Sequence, residues 1–286
     1  MYTRHFGLSQ RPFLSGCYYP ATPHETCMHM VCDALQRGDG LILMYGAPGT
    51  GKSVLVRRLL EKFARSHACA WLVHGRFSHE EHLVQALLRE YDRSAPMGEI
   101  HAMRTTLVEL LLEFLDSGHP AIVFADEAHL LSLECLEELR ILTNYEAGGQ
   151  SLARVVLVAQ PSLLQKLERP DCAALAQRIR LRCQLAALDY QEAADYLFFH
   201  LRRAGGKPEQ LFSEEALKVL LSACGGIARL INHAADLSLT YAFLAGANQV
   251  DVEAVTEALR DLRLEPSWEE GAAAPDLQAH DALQVA

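Results

Sequence analysis

The octapeptide Gly46-Ala47-Pro48-Gly49-Thr50-Gly51-Lys52-Ser53 fits the pattern GxxxxGK[ST]. Its chemistry follows from the residue types. The glycines let backbone N–H groups converge on anionic oxygens, and a helix opening at the end of the loop adds partial positive charge there. A lysine at this spacing reaches the β and γ phosphates of a nucleoside triphosphate, and the hydroxyl that follows ligates Mg²⁺. The residues expected to hold ATP are therefore Gly46, Ala47, Pro48, Gly49, Thr50, Gly51, Lys52, Ser53 and Val54, with Ser53 also a metal ligand. A second stretch, "AIVFADEAH", supplies the acid: an apolar run and then Asp126 and Glu127. Asp126 suits the metal-facing role, usually through water. Glu127 comes one residue later, points elsewhere, and suits orienting and deprotonating an attacking water. Loop and acidic pair together are equipped to hydrolyse ATP with Mg²⁺. His129 completes the string D-E-A-H, also found in helicases, and is read as the end of the strand with no assigned role.

Those residues need a scaffold. The segments 40–45, 69–74, 120–125, 153–159 and 179–185 read as strands, and the first four are nearly continuous apolar runs, as in a sheet covered on both faces. Helical patterns fall between them at about 53–66, 79–91, 99–116, 132–146 and 161–177, with Ser78 and Glu81 forming a capping-box pattern. Strand–helix alternation of this kind predicts an α/β fold, a three-layer αβα core on a parallel sheet. After Leu185 the strands stop. Asp189 with Glu192, Ser213, the Gly225-Gly226 pair and Asp251 precede four helices at about 189–204, 213–223, 227–245 and 251–262. The expected organisation is an N-terminal segment 1–23 packing near the nucleotide, a nucleotide-binding domain 24–187, a helical lid 188–263 and an acidic tail 264–286.

Bulk composition narrows the setting. The chain has 286 residues, half of them apolar, and a formal charge of −10, which argues against bulk electrostatic attachment to nucleic acid. Half of that charge sits in Glu265, Glu269, Glu270, Asp276 and Asp281, a tail of Ala, Pro and acid that can bury little surface and is expected to be disordered; Trp268 lies within it. No run approaches the ~18 apolar residues of a membrane span. Glu109 and Glu113 break the longest candidate, Leu107 to Leu115. With no signal-peptide pattern at the N-terminus, the expectation is a cytoplasmic protein. Eight cysteines without a CxxC pair suit that compartment. His24, Cys27, His29 and Cys32 crowd one helical segment, from which four metal ligands seldom converge.

Three further positions give the sequence a family likeness. An α/β nucleotide domain followed by a helical lid resembles the AAA+ class of P-loop NTPases. The likeness implies that Gln160, ending "VVLVAQ", occupies the sensor 1 place near the γ-phosphate. It implies that Arg229, in "GGIARLIN", is the sensor 2 arginine. It implies that Arg178, in "LAQRIRLR", is the arginine finger that reaches a neighbouring subunit's site; Arg180, Arg182 and Arg169 are competing candidates. Within that class, "YTRHFGLSQRPF", "YYPATPHE", "VLVAQPSLLQKL" and "AGGKPEQLFSEEAL" resemble the ATPase domain of the general secretion pathway protein A type, over about 1–262. That type usually has Gly-Ile-Pro-Arg where this chain has Ala228, and usually continues into a transmembrane helix and a peptidoglycan-binding region. The resemblance implies a nucleotide-dependent homo-oligomer that drives or gates a secretion, pilus or polymer-export assembly through a protein partner. Two alternatives stand beside it: an ATP-dependent DNA-binding transposition regulator and a nucleotide-gated signalling switch. For the DNA reading, Arg57, Arg58, Lys62 and Arg65 with Arg202, Arg203 and Lys207 would line the path.

Overall fold

In the computed structural model, residues 1–13, 17–74, 76–77, 79–94 and 99–264 are described. Ser78 of the expected capping box and the acidic tail from Glu265, with Trp268, lie outside the described residues. The chain divides into two compact units. One contains 24–48 and 52–186; the other contains 1–23, 49–51 and the residues from Ala187 onward.

The first unit is built on five strands: β1 (Leu41–Tyr45), β2 (Ala68–Leu72), β3 (Ala121–Ala125), β4 (Ala153–Ala159) and β5 (Ile179–Gln184). All pair in parallel, in the order β2-β3-β4-β1-β5. The pleat sends alternate residues to opposite faces. Ile42, Met44, Ile122, Phe124, Val156 and Val158 pack with α1 (Thr22–Arg37) and α2 (Lys52–Phe63). Leu41, Leu43, Val123, Val155 and Leu157 pack on the other side with α3 (Glu80–Glu90), α4 (Ile100–Asp116) and α5 (Leu133–Leu142). Both faces are thus buried, which is why the strands read as unbroken apolar runs. β5 is an edge strand whose exposed positions carry Arg180, Arg182 and Gln184, charge and polarity that discourage further pairing.

One helix ends sooner than its pattern suggests and another is interrupted. The expected helix 132–146 stops at Leu142, and the chain turns through Gly148-Gly149, both at positive φ, in a two-stranded hairpin pairing 146–147 with 150–151. The expected helix 161–177 is three pieces: α6 (Ser162–Leu167), a 3₁₀ turn at Pro170–Cys172, and α7 (Ala173–Arg178). Pro170 has no N–H to continue the ladder, so the helix restarts behind it.

The second unit is helical: α8 (Tyr190–Arg203), α9 (Glu214–Cys224), α10 (Ala228–Leu244) and α11 (Val252–Asp261). Asp189 and Glu192 form a full capping box on α8, and Ser213 and Asp251 accept from the backbone N–H groups of Ala216 and Ala254. Residues 1–23 pack on this unit. The Tyr2 hydroxyl and the Arg11 guanidinium both donate to the Asp236 carboxylate on α10, and Leu8 is buried among the helices.

Candidate functional site

Sheet order decides which loops meet. With β3, β4 and β1 side by side, register pairs Ala125 with Leu157 and Tyr45 with Ala159. The carboxyl ends of these strands therefore carry Asp126-Glu127, Gln160 and the loop after Tyr45 at one edge, where parallel α/β sheets bind ligands. Gly46 N–H donates to the Ala159 carbonyl at 3.2 Å, and Asp126 N–H donates to the Leu72 carbonyl at 2.9 Å, which fixes both turns to neighbouring strands.

The loop is held in a phosphate-cradling form. Gly49 and Gly51 have φ of +86° and +101°, a region glycine enters without steric cost. α2 starts at Lys52, so its first N–H groups have no intrahelical acceptor and face the loop. The Lys52 ammonium is buried and donates to the Gly46 and Ala47 carbonyls, each at 2.9 Å. Ser53 and Val54, next along α2, are exposed. Within the second unit, Arg229 N–H donates to the Gly49 carbonyl at 3.1 Å, and a Cβ on Gly49 would lie 2.9 Å from that of Arg229.

The acidic pair splits as the one-residue offset demands. Asp126 is buried; its Oδ2 accepts from Ser53 Oγ at 2.8 Å and its Oδ1 from the Glu127 N–H at 2.9 Å. A hydroxyl and a carboxylate oxygen so close together are the hard oxygen donors that Mg²⁺ takes, so the residues fit that ion. Burial pushes the Asp126 carboxyl pKa up, and the Glu127 charge adds to this, against Ser53, the Glu127 N–H and Lys52. A raised carboxyl pKa means the folded chain favours the proton, so that contribution is lost as pH climbs through the folded pKa, and at neutral pH the charge works against folding. Asp126→Asn keeps the shape without the charge: its amide oxygen can accept from the Glu127 N–H while its NH2 donates to Ser53 Oγ, reversing that one bond. We expect the nucleotide-free variant to melt about 2 °C higher, by differential scanning fluorimetry, while losing metal-dependent hydrolysis. A lower melting point would show that the carboxylate is a net stabiliser.

Glu127 has φ +53° and ψ +34°, a left-handed conformation unusual for a residue with a Cβ. It turns the chain out of β3 into a 3₁₀ turn at Ala128–Leu130 and leaves the Glu127 side chain partly exposed. The Gln160 side-chain amide donates to Glu127 Oε2 at 3.4 Å. His129, read from sequence as a strand end, belongs to this cluster: its Nε2 is 3.5 Å from the same Oε2, and Gln160 N–H donates to its Nδ1 at 3.4 Å. The DEAH string contained the residue, but only the turn after Glu127 folds it back.

The structure thus gathers Lys52, Ser53, Asp126, Glu127 and Gln160, with His129 added. Arg178 is elsewhere. It ends α7 directly before β5, where Ile179 pairs with Leu41 at the start of β1, and its Nη2 donates to the Thr143 carbonyl at 3.2 Å. Of its competitors, Arg169 chelates Asp171 (2.7 and 3.1 Å), and Arg182 donates to the Ala176 carbonyl at 3.4 Å.

Parallel sheet, phosphate loop, acidic pair and trailing helical unit give this chain the fold of an AAA+ P-loop ATPase. Residues 35–167 match the AAA domain family. Over 282 residues the chain is 33% identical to the General secretion pathway protein A of Aeromonas hydrophila, covering 95% of this chain and 51% of that protein. It thus spans about half the length of the curated relative it matches. Among solved structures, the ORC2 protein of Aeropyrum pernix superposes with a TM-score of 0.62 at 17% identity, over 88% of this chain and 71% of that one. Cdc6p of Pyrobaculum aerophilum gives 0.69 at 17% identity, over 87% and 70%. At that identity the likeness is one of fold.

Proposed function

We propose that this chain hydrolyses ATP with Mg²⁺ as an oligomer and that turnover drives or gates a secretion, pilus or polymer-export assembly. One observation carries the hydrolytic part: Lys52, Ser53, Asp126, Glu127 and Gln160 converge at adjacent strand ends, as nucleotide hydrolysis requires. Each residue has a task. The loop N–H groups and the first turn of α2 bind phosphate oxygens. Lys52 exchanges its two carbonyl acceptors for the β and γ phosphates and keeps its charge compensated throughout. Ser53 and Asp126 would hold Mg²⁺, which neutralises phosphate charge when bound. The Glu127 carboxylate orients the attacking water and takes its proton. Gln160 has one amide, able to grip Glu127 or a γ-phosphate oxygen.

Support for the oligomer comes from Arg178, whose guanidinium lies beside Thr143 at the amino-terminal end of the strands, so completing the charge around a γ-phosphate falls to a neighbour's arginine. Support for the export role is the likeness to General secretion pathway protein A. Among the described residues no helix is long and apolar enough to cross a membrane. The DNA reading draws less support, since Arg58 pairs with Glu61 and Arg202 with Glu209, which reduces the field those arginines present. The test is ATP turnover across a dilution series with and without Mg²⁺, beside size-exclusion with and without a non-hydrolysable ATP analogue. We expect metal-dependent turnover whose specific rate rises with chain concentration, and a larger species with the analogue. A chain that binds no nucleotide overturns the ATPase reading; a monomer with concentration-independent turnover overturns the oligomer.

A further inference from the structure

We propose that His129 is a positioning residue for Glu127: its neutral imidazole, fixed in the Nε2–H tautomer, steadies one carboxylate oxygen so that the other faces the attacking water. The proposal rests on the reading of Glu127 as the base.

The tautomer follows from hydrogen bonding. Gln160 N–H is a donor and lies 3.4 Å from His129 Nδ1, so Nδ1 must be the unprotonated, accepting nitrogen. In a neutral ring the proton then sits on Nε2, the nitrogen 3.5 Å from Glu127 Oε2. Burial keeps the ring neutral: it lowers the His129 pKa, with the Lys52 and Lys166 charges, against Glu127 and Asp126. Ring orientation is secured from below. Ala128 is fully buried, Leu131 N–H donates to the Ala128 carbonyl at 3.2 Å, and the Lys166 ammonium on α6 donates to the Leu131 carbonyl. The ring is only 10% exposed, so water competes little for its Nε2–H.

The Gln160 amide donates to Oε2 of Glu127, and His129 Nε2 lies 3.5 Å from the same oxygen. A carboxylate gripped at one oxygen has one rotational choice left, and Oε1 becomes the free acceptor. That restraint is needed because Glu127 leaves a left-handed backbone turn with its side chain 38% exposed, and a glutamate in that setting otherwise samples several rotamers. Gln160 couples the two residues, since its backbone holds the histidine while its side chain holds the glutamate. A group that fixes an acting residue through one hydrogen bond is commonly worth roughly 10- to 100-fold in activity.

The test has two readouts on the full chain. In long-range ¹H–¹⁵N spectra of the nucleotide-free protein, the His129 signals, identified by their loss in His129→Gln, are expected to show the Nε2–H tautomer at neutral pH and to shift in Glu127→Gln. In steady-state assays His129→Ala is expected to lower kcat about 10-fold or more, with the Mg-ATP dissociation constant and melting temperature nearly unchanged. His129→Gln, which can offer an N–H to the same oxygen, should recover most of that loss. An Nδ1–H tautomer, a charged ring, or wild-type kcat in His129→Ala overturns the proposal. So does a kcat loss accompanied by an equal loss of ATP affinity and a lower melting temperature. A wild-type chain without turnover instead removes the assignment of Glu127 on which the proposal rests.

Discussion

Glu127→Gln should bind Mg-ATP within about twofold of the wild-type chain and turn it over roughly 10²–10⁴ times more slowly. The substitution is close to isosteric. Glutamine enters the left-handed conformation at 127 no less readily than glutamate, so the turn from β3 into Ala128–Leu130 survives. Its carbonyl oxygen can still accept from Gln160, and Asp126 still accepts from Ser53 and from the backbone N–H at 127. What disappears is basicity: an amide takes no proton from water at neutral pH. A thousandfold loss is about 4 kcal/mol of transition-state stabilisation, more than the net worth of any single hydrogen bond in the site. Filter-binding of labelled ATP should show the nucleotide retained intact over many wild-type turnover times. Normal turnover in this variant would mean that another group activates the water. A matching fall in affinity would mean that Glu127 holds the nucleotide.

Much of the scaffold for this chemistry is legible in residue order. Apolar runs such as "PAIVFA" and "ARVVLVA" betray strands buried on both faces, because Ile122 and Phe124 meet one layer of helices while Val123 meets the other. Asp189, Ser213 and Asp251 announce helix starts because capping is a local event between residues three apart. Non-local relations are a different matter. Alternation of strands and helices requires a parallel sheet but not the order β2-β3-β4-β1-β5, and that order brings Gln160 to Glu127 across 33 residues. Tyr2 and Asp236 pair across 234 residues, a contact with no sequence periodicity behind it. His129 fails to announce itself for another reason. Its part depends on one backbone conformation at Glu127, and a glutamate carries no preference for the left-handed region. The pattern 161–177 reads as one helix by its apolar periodicity, yet the chain divides at Pro170, which has no N–H to continue the ladder.

Arg178→Ala should leave nucleotide affinity intact and reduce turnover by about 10³-fold or more, the range expected when a trans-acting arginine is removed. The geometry excludes action on the chain's own site. Arg178 precedes Ile179, which pairs with Leu41, whereas the phosphate loop begins after Tyr45 at the other end of β1. At ~3.3 Å per residue the strand separates the two by roughly 15 Å. Losing the bond to the Thr143 carbonyl removes only one hydrogen bond, worth about 1 kcal/mol of stability. A small drop in melting temperature is therefore compatible with a large drop in rate. Mixing separates a trans role from a structural one. Lys52→Ala subunits lack a working loop but keep Arg178; Arg178→Ala subunits keep the loop but lack the arginine. Random assembly through head-to-tail contacts makes roughly a quarter of the sites composite, with an intact loop facing an intact arginine. The mixture of two nearly inactive proteins should thus regain a substantial share of wild-type turnover, rising with concentration. Arg178→Lys in place of the alanine variant should rescue poorly on its own, because an ammonium lacks the planar fork that spans two phosphate oxygens. If mixing restores nothing while both variants still assemble, Arg178 acts on its own chain's structure, and Arg180 and Arg182, exposed along β5, become the arginines to test by the same experiment.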